Sequence, residues 1–225
     1  MTLSLILRDV ETGEFGSVIA SSSPAVAARC VNLADGVGGA HSQNVTDPRL
    51  GQSLLAELRT GASAQEALDA VVSAADPATI DYRQLLVLDS AGRPAVFSGG
   101  KALGIFGAAS RENAVAGGNM LASLEVLDAL VDTAVAATGR IEERLFAALQ
   151  AALAAGGEAG PIHSAGLAVV SDAGWRVTDL RVDWDDAPVE TLGRVLAAWL
   201  PQRDDYTHRG LNPAAAPSYG VPGDE

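Results

Sequence analysis

The second residue of the chain is the first candidate for chemistry. Met1 precedes Thr2, and an initiator methionine is normally removed when the next residue is as small as threonine. Removal would leave Thr2 with a hydroxyl and a free α-amine. The hydroxyl alone is a weak nucleophile, whereas an α-amine with a pKa of about 7.7 to 8.0 can take its proton at neutral pH. Two hypotheses follow: Thr2 is an N-terminal nucleophile, or it is only the second residue of a strand.

Attack on an amide carbonyl also requires hydrogen-bond donors for the oxyanion. Residues 117–119, Gly-Gly-Asn, are predicted to lie between a strand and a helix. Backbone amides and the Asn119 carboxamide would then point to one spot near a helix N-terminus. Gly118 and Asn119 are therefore candidate catalytic residues beside Thr2. The alternative is an ordinary glycine-rich turn in which Asn119 caps the helix.

Further polar residues are candidates for contact with a substrate. The serines at 21–23 end the second predicted strand, and a hairpin would bring one of their hydroxyls near the Thr2 amine; a plain turn is the alternative. His41 and Gln43 lie in a glycine-rich strand region, and Asn44 and His163 belong to motifs described below. Each of these four could also be a hydrogen-bonded polar group of the core or of the rim. The set is Ser21, Ser22, His41, Gln43, Asn44 and His163.

Neither a metal nor an organic cofactor is expected. One cysteine and three histidines cannot form the usual zinc spacings. The acidic cluster at residues 183–186 could bind a metal, but it precedes a predicted helix, whose N-terminus favours negative charge. The glycines at residues 36–39 lack the third spaced glycine and the following helix of a dinucleotide fingerprint.

Composition limits the class of protein. The chain has 225 residues, of which 48% are apolar, so it can bury one sizeable core. Its 15 basic and 28 acidic residues give a net charge of −13, which repels nucleic-acid phosphates and anionic lipids. There is no apolar run long enough to span a membrane and no signal-peptide pattern. We therefore expect a cytoplasmic protein that binds neither nucleic acid nor membranes.

The predicted elements group into hairpins and helix pairs. Strands are predicted at 2–9, 15–22, within 32–44, and at 84–90, 94–98, 102–106, 113–116, 163–171 and 175–183. Helices are predicted at 49–59, 63–75, 120–137, 141–155 and 188–200. Paired strands and paired helices favour mostly antiparallel sheets, because parallel sheets interleave single helices between single strands. We expect two sheets packed face to face, with helices on both outer faces.

The C-terminal segment differs in composition from the rest. Residues 1–202 are predicted to form a single domain. Residues 203–225 hold three prolines and several glycines, which predicts an extended arm without regular structure. A symmetric homodimer, or a higher homo-oligomer, would let each arm cross to its partner or seal the rim of a pocket. A disordered tail is the alternative.

Short motifs along residues 2–200 resemble the bacterial family DUF1028. They are Met1-Thr2-x-Ser4, Arg8-Asp9, Thr12-Gly13-Glu14-x-Gly16, Ala20-Ser21, Asn44 with Pro48-Arg49-x-Gly51, Gly118-Asn119-Met120-Leu121, His163-Ser164-Ala165 and Asp179-Leu180-Arg181-Val182-Asp183. The resemblance implies the N-terminal nucleophile (Ntn) hydrolase superfamily, an α+β fold with a four-layer αββα sandwich, and Thr2 as nucleophile. The chain departs from the family where members often carry Lys, Gly and Arg-Gln, at Ser22, Ala27 and residues 162–163.

These observations predict a cofactor-free amidohydrolase. It would cleave a carbon–nitrogen bond of a small amide, ureido compound or lactam, rather than an ordinary peptide bond, with Thr2. One alternative is a non-catalytic small-molecule-binding protein that retains the fold. Another is a metal-dependent hydrolase that uses His41 or His163 with the acidic cluster at 183–186.

Overall fold

A computed structural model describes residues 1–221 of the chain. In this part of the chain the strands are β1 (Thr2–Arg8), β2 (Phe15–Ser21), β3 (Val31–Ala34), β4 (Gly38–Asn44), β5 (Arg83–Asp89), β6 (Pro94–Ser98), β7 (Gly107–Arg111), β8 (Ala114–Asn119), β9 (Ser164–Val170) and β10 (Arg176–Val182). The helices are α1 (Val26–Cys30), α2 (Pro48–Arg59), α3 (Ala64–Ala74), α4 (Glu125–Ala136), α5 (Ile141–Ala154), α6 (Pro188–Trp199) and α7 (Arg203–Leu211). None of these helices has the length and apolar character needed to cross a bilayer.

Two antiparallel sheets form the middle of the molecule. The large sheet has the order β10-β9-β2-β1-β8-β7, and the small sheet has the order β3-β4-β5-β6. Helices α4, α5 and α6 bury their apolar faces on the outside of the large sheet. Helices α2 and α3 do so on the small sheet. The predicted α+β fold with four layers, αββα, is confirmed.

The residue alternation of β1 decides which side chains lie between the sheets. Leu3, Leu5 and Leu7 pack in the core formed with the outer helices. Ile6 instead packs against residues of the small sheet, and successive side chains of a strand point to opposite faces. Thr2 and Ser4 therefore lie on the same face as Ile6, between the two sheets.

Local sequence signals set the helices of the small sheet. Asp47 caps α2 by accepting a hydrogen bond from the amide of Arg49, and Pro48 takes the first helical position. Ser63 and Glu66 form the predicted capping box of α3. The helical pair that these residues begin is confirmed.

The region before α4 differs from the prediction. Residues 102–106 are not a strand; their carbonyls at Leu103 and Ile105 instead accept hydrogen bonds from the amides of Met120 and Leu121. Helix α4 begins at Glu125 rather than at Met120, whose φ of 51° is left-handed. The apolar spacing that suggested a longer helix included Leu124, which is 52% exposed, whereas the irregular turn buries Leu121 without helical backbone.

The C-terminal segment was predicted to be extended, and this is wrong for its first part. Residues 203–211 form α7, because Arg203 reaches the acidic side chains of Glu142, at 2.8 Å, and Glu14. Asp204 in turn pairs with Arg140. The prolines on which the prediction relied lie beyond the helix. The last four residues of the predicted arm, 222–225, lie outside the described part of the chain, and its role in a dimer stays a prediction.

We expect Arg203→Ala to lower the free energy of unfolding by about 3–5 kcal/mol. The substitution leaves the Glu142 carboxylate without this guanidinium, although that side chain is only 1% exposed. The measurement is urea unfolding followed by circular dichroism. Arg194→Ala on the exposed face of α6 is the control and should change stability by no more than about 0.5 kcal/mol. Equal effects of the two substitutions would contradict this account of α7.

Candidate functional site

Four polar side chains form a row across the large sheet at the end where β1 begins. Thr2 is paired with Ser21 of β2 on one side and with Asn119 of β8 on the other, and Ser21 is paired with Ser164 of β9. Directly opposed residues of neighbouring strands point to the same face of a sheet. Thr2 is 5% exposed, and the other three are at most 1% exposed. The sheet thus holds Thr2 in a fixed, enclosed position.

Two hydroxyls meet at the carbonyl oxygen of Met1. The Thr2 Oγ1 hydroxyl donates to this oxygen at 2.6 Å, and the Ser21 hydroxyl also donates to it. The two hydroxyl oxygens are 3.4 Å apart. The predicted approach of a serine hydroxyl to Thr2 is therefore present in the structure.

A chain of polar groups continues from Ser21 away from Thr2. The Oγ atoms of Ser21 and Ser23 are 2.9 Å apart, and Ser23 accepts a hydrogen bond from the Arg29 guanidinium at 2.9 Å. Ser23 belongs to the predicted serine run but not to the final set of candidates, and Arg29 was not predicted. Arg29 belongs to the short helix α1, for which the sequence carries no periodic signal, so its approach to the site could be found only in the fold.

Glu158 is a further site residue that the sequence analysis missed. Its Oε2 accepts a hydrogen bond from the Ser22 amide at 3.2 Å, whereas Oε1 has no hydrogen-bond partner among residues 1–221. Burial raises the pKa of Glu158 to about 8, although the positive charge of the Met1 amine and the Ser22 amide lower it. The residue lies in a Gly-Gly-Glu-Ala-Gly loop at 156–160, whose composition indicates only a turn.

The Met1 side chain lies against the same loop. A Cβ added at Gly160 would lie 2.7 Å from the Met1 Cε atom, so a larger residue there would displace the end of the methionine side chain. The loop is held in place by backbone hydrogen bonds to the turn after β8, from Ala159 to Met120 and from Ala122 to Gly157. Loop residues thus border Met1.

His41 lies between the sheets and links them. Its Nε2 is 2.8 Å from the Ser17 Oγ and its Nδ1 is 2.9 Å from the Ser4 Oγ. Ser4 donates its proton to Gln43 Oε1 at 2.7 Å, so it accepts the hydrogen bond from His41 Nδ1–H, and Ser17 donates to Nε2. This arrangement uses a neutral imidazole. Burial, with the charge of Arg176, lowers the pKa of His41 to about 3.

The same network continues to Asn119. Gln43 Nε2 donates to Gln84 Oε1 at 2.9 Å, and Asn119 Nδ2 donates to that oxygen at 3.3 Å. Gln84 Nε2 donates to the carbonyls of Gly107 and Gly118, both at 3.1 Å. The amides and hydroxyls that connect His41 to Asn119 therefore fix the orientation of the carboxamide beside Thr2.

The predicted substrate-binding residues lie in different parts of the structure. His41 and Gln43 are 0% exposed and lie behind the row, within the network. Asn44 ends β4 with a φ of 70° and bonds the Tyr82 carbonyl and the Leu103 amide. These three side chains hold neighbouring segments together, and their predicted contact with a substrate stays a prediction.

Ser22 and His163 lie at the border of the row. Ser22 contributes its backbone amide to Glu158, as described above. The His163 amide donates to the Ser21 carbonyl at 2.9 Å, and its ring stacks on Trp184 with 4.5 Å between ring centroids. Of the predicted set, the structure thus brings Thr2, Ser21 and Asn119 together as side chains.

The environment of Gly118 and Asn119 differs from the prediction. Both belong to β8 rather than to a turn, and no helix starts beside them, since α4 begins six residues after Asn119. Gly118 is required in the strand because a Cβ there would lie 2.7 Å from the Leu121 side chain and 3.0 Å from the Thr2 carbonyl oxygen. A helix dipole therefore does not act on this spot, and Asn119 contributes its side chain.

The acidic cluster at 183–186 serves the start of α6. Asp185 accepts hydrogen bonds from the Ala187 amide and the Thr191 hydroxyl, both at 2.8 Å. Within residues 1–221 there is no group of three or more His, Cys, Asp or Glu side chains that could hold a metal ion.

The family model and one solved structure place the chain in the same family. The model of DUF1028, described as a family of unknown function, matches residues 2–192. The crystal structure of SPO2555 from Silicibacter pomeroyi, which carries the same family model, is 30% identical and has a TM-score of 0.84, covering 92% of this chain and 90% of that one. Anbu (ancestral beta-subunit) from Yersinia bercovieri is 12% identical with a TM-score of 0.39, covering 89% of this chain and 97% of that one. No curated protein matches.

We expect His41 to make the protein less stable as the pH falls from about 6.5 to about 3. The ordinary pKa of 6.5 applies to the unfolded chain, whereas the folded protein lowers it to about 3. Between these values the unfolded state binds more protons, so stability falls by up to about 1.4 kcal/mol per pH unit. The contribution is fully present above pH 6.5. Urea unfolding between pH 4 and 7 should show a shallower slope in His41→Gln than in the wild type.

A direct measurement complements the unfolding curves. The wild-type His41 ring should show no titration above pH 4 in NMR spectra, because its proton is added only near the lowered pKa. A ring that titrates near pH 6.5, or an unchanged slope in a folded His41→Gln variant, would contradict the neutral buried imidazole.

Proposed function

We propose that this chain, which belongs to the DUF1028 family, is a hydrolase of small amides in which Thr2 is an N-terminal nucleophile once Met1 has been removed. One observation carries the proposal. The Thr2 hydroxyl lies enclosed at the start of the central strand β1 and already contacts a carbonyl oxygen, that of Met1, beside a second hydroxyl from Ser21. The Ntn hydrolase superfamily is the class to which such chemistry belongs.

The reaction would proceed through an ester on Thr2. The α-amine of Thr2 accepts the hydroxyl proton while Oγ1 attacks the carbonyl carbon of the amide. The carbon–nitrogen bond then breaks, and the leaving amine takes the proton from the α-ammonium. Water next gives a proton to the α-amine, attacks the ester and releases a carboxylic acid, while the Thr2 oxygen regains its proton.

Two side chains of the row are suited to stabilise the oxyanion. The Ser21 hydroxyl, which binds the Met1 carbonyl oxygen in the structure, becomes available to a substrate carbonyl when Met1 is absent. The Asn119 carboxamide has two N–H groups, and one of them binds Gln84. The buried network that orients Asn119 would keep its second N–H in a constant direction, as preorganised stabilisation requires.

The site favours small substrates. Thr2 is 5% exposed and lies between β2 and β8, so a long folded polypeptide has little access to it. A small amide, ureido compound or lactam fits this enclosure better than an ordinary peptide bond within a protein. The steps above use the hydroxyl and α-amine of Thr2, the hydrogen-bond donors of the row and water.

A non-catalytic binding protein with the same fold is the second candidate function. Ser22 stands where family members often carry a lysine, and its amide binds Glu158. A protein in which this position no longer supports catalysis, but which kept the enclosed row, would bind a ligand without cleaving it. In that case replacement of Thr2 by valine would leave ligand binding intact.

We expect Thr2→Ala to lower kcat/KM for a small amide by at least about 10³-fold, because the nucleophile is lost. Thr2→Ser keeps a hydroxyl and an α-amine and should retain measurable activity. Intact-mass spectrometry should show that Met1 is absent from the active wild type. The pH profile of kcat/KM should rise with an apparent pKa of about 7.7 to 8.0, that of the free α-amine.

A small β-lactone supplies a readout when the substrate is not known. Such a probe should acylate the Thr2 hydroxyl in the wild type and in Thr2→Ser, and leave Thr2→Ala unmodified. Full activity of Thr2→Ala, or an active form that retains Met1, would disprove the nucleophile.

A further inference from the structure

Met1 shows where the acyl group of a substrate would lie. In an ester on Thr2 the acyl carbon would be attached to Oγ1, which already contacts the Met1 carbonyl oxygen at 2.6 Å. The residues around Met1 therefore mark the surroundings of a bound acyl group, provided that Thr2 is the nucleophile as proposed above.

Each part of Met1 meets a different group of the protein. The carbonyl oxygen accepts hydrogen bonds from Thr2 and Ser21. The side chain lies against Gly160, where a Cβ would come within 2.7 Å of Cε and 3.4 Å of Sδ. Because residue 160 has no side chain of its own, the space beside it is free for the end of the unbranched Met1 side chain.

The third part of Met1, its α-amine, has a carboxylate in its neighbourhood. The positive charge of the amine lowers the pKa of Glu158, although the two groups do not form an ion pair in the described part of the chain. Glu158 is 7% exposed, and its Oε1 has no hydrogen-bond partner among residues 1–221. An unpaired buried carboxylate is costly, and without a ligand Glu158 avoids this cost at neutral pH by staying largely protonated, as its pKa of about 8 indicates. The ionised form is stabilised by a ligand that supplies a cation and a hydrogen-bond donor. An ammonium group supplies both.

The surroundings of Glu158 have the charge that an ammonium ligand needs. A cavity of about 310 Å³ borders the loop and is lined by Glu158, Gly160, Asp186 and Glu190, among others. Met1, Thr2 and Ser21 do not line it, so the cavity adjoins Glu158 and Gly160 without being the acyl subsite itself. Among the described residues that line it, none is basic. A carboxylate or phosphate ligand would be repelled from this cavity, whereas a cation would be attracted.

We infer that the acyl subsite takes an α-amino acyl group with a free ammonium, which Glu158 binds, and an unbranched side chain, which lies against Gly160. This inference rests on the proposed function and narrows its substrates to amides of α-amino acids. Glu158 would hold the substrate by its ammonium, Ser21 by its carbonyl oxygen, and the reacting carbon would lie at the Thr2 hydroxyl.

Binding is measured on the full-length Thr2→Ala variant, after mass spectrometry confirms that Met1 is absent. L-Methioninamide and N-acetyl-L-methioninamide are titrated by calorimetry. We expect the free amine to bind at least tenfold more tightly than the acetylated compound, and Glu158→Gln to remove this preference. Glu112→Gln, in the exposed turn between β7 and β8 at the opposite end of the sheet, is the matched control and should keep it.

A second variant tests the side-chain niche independently of Glu158. Gly160→Ala should weaken binding of L-methioninamide while leaving binding of L-alaninamide unchanged, because the added methyl group takes the place of the methionine Cε. This comparison also serves if Glu158→Gln fails to fold. Absence of binding, equal affinity for the free and acetylated amides, or an unchanged preference in a folded Glu158→Gln variant would overturn the subsite.

Hydrolysis separates this inference from the proposed function. Ammonia release from L-methioninamide is followed with the wild-type protein, which retains Thr2. Selective binding without any hydrolysis would refute the nucleophile and leave the ammonium subsite standing. Thr2-dependent hydrolysis of small amides without selectivity for a free amine would refute the subsite alone. In that case Glu158 would be left to pair with the α-ammonium of Thr2 itself, and Glu158→Gln would shift the pKa of the kcat/KM profile.

Discussion

The antiparallel pairing of β1 on both of its sides is the constraint on which the site depends. Because β2 and β8 flank the strand, Thr2 cannot fray as a strand end normally does, and its side chain has one direction. The same register brings Ser21 and Asn119 to either side of it. A slip of one residue would turn Thr2 and Ser4 toward the helices and the leucines toward the small sheet. The hydrophobic alternation of β1 thus also determines the position of its first hydroxyl.

The space between the sheets near the site is polar, which is unusual for the middle of a sandwich. Buried hydroxyls, amides and an imidazole are tolerated there because each of them donates to or accepts from the next. Farther along the same strands Ile6, Leu86 and Leu88 restore an apolar interface. The inter-sheet layer therefore divides into an apolar part that holds the sheets together and a polar part that orients Asn119. Because His41 is neutral, it can link the two sheets within the polar part without burying a charge.

The sequence could predict those features that depend on interactions between residues close together in the chain. Hairpins, the Asp47 cap and the Ser63 capping box depend on neighbouring residues, and the order of strands and helices then indicated the four layers. Thr2 and Ser21 could be paired because one short hairpin joins their strands. Glu158 could not be found, because a glycine-rich loop carries no sign of the strand ends that it will face. The start of α4 was misplaced because apolar spacing does not distinguish a helix from an irregular buried turn.

The row at the start of β1 is assembled from parts of the chain that are far apart in sequence: residues 2, 21, 119 and 164. During synthesis, Thr2 can be flanked on both sides only after β8, which holds Asn119, has left the ribosome. At about 5–20 residues per second this takes on the order of ten seconds. Throughout that interval the first residues of the nascent chain remain accessible to an aminopeptidase, whereas in the finished fold Thr2 is buried and Met1 is only partly exposed. The late closure of the sheet therefore provides the time in which Met1 can be removed.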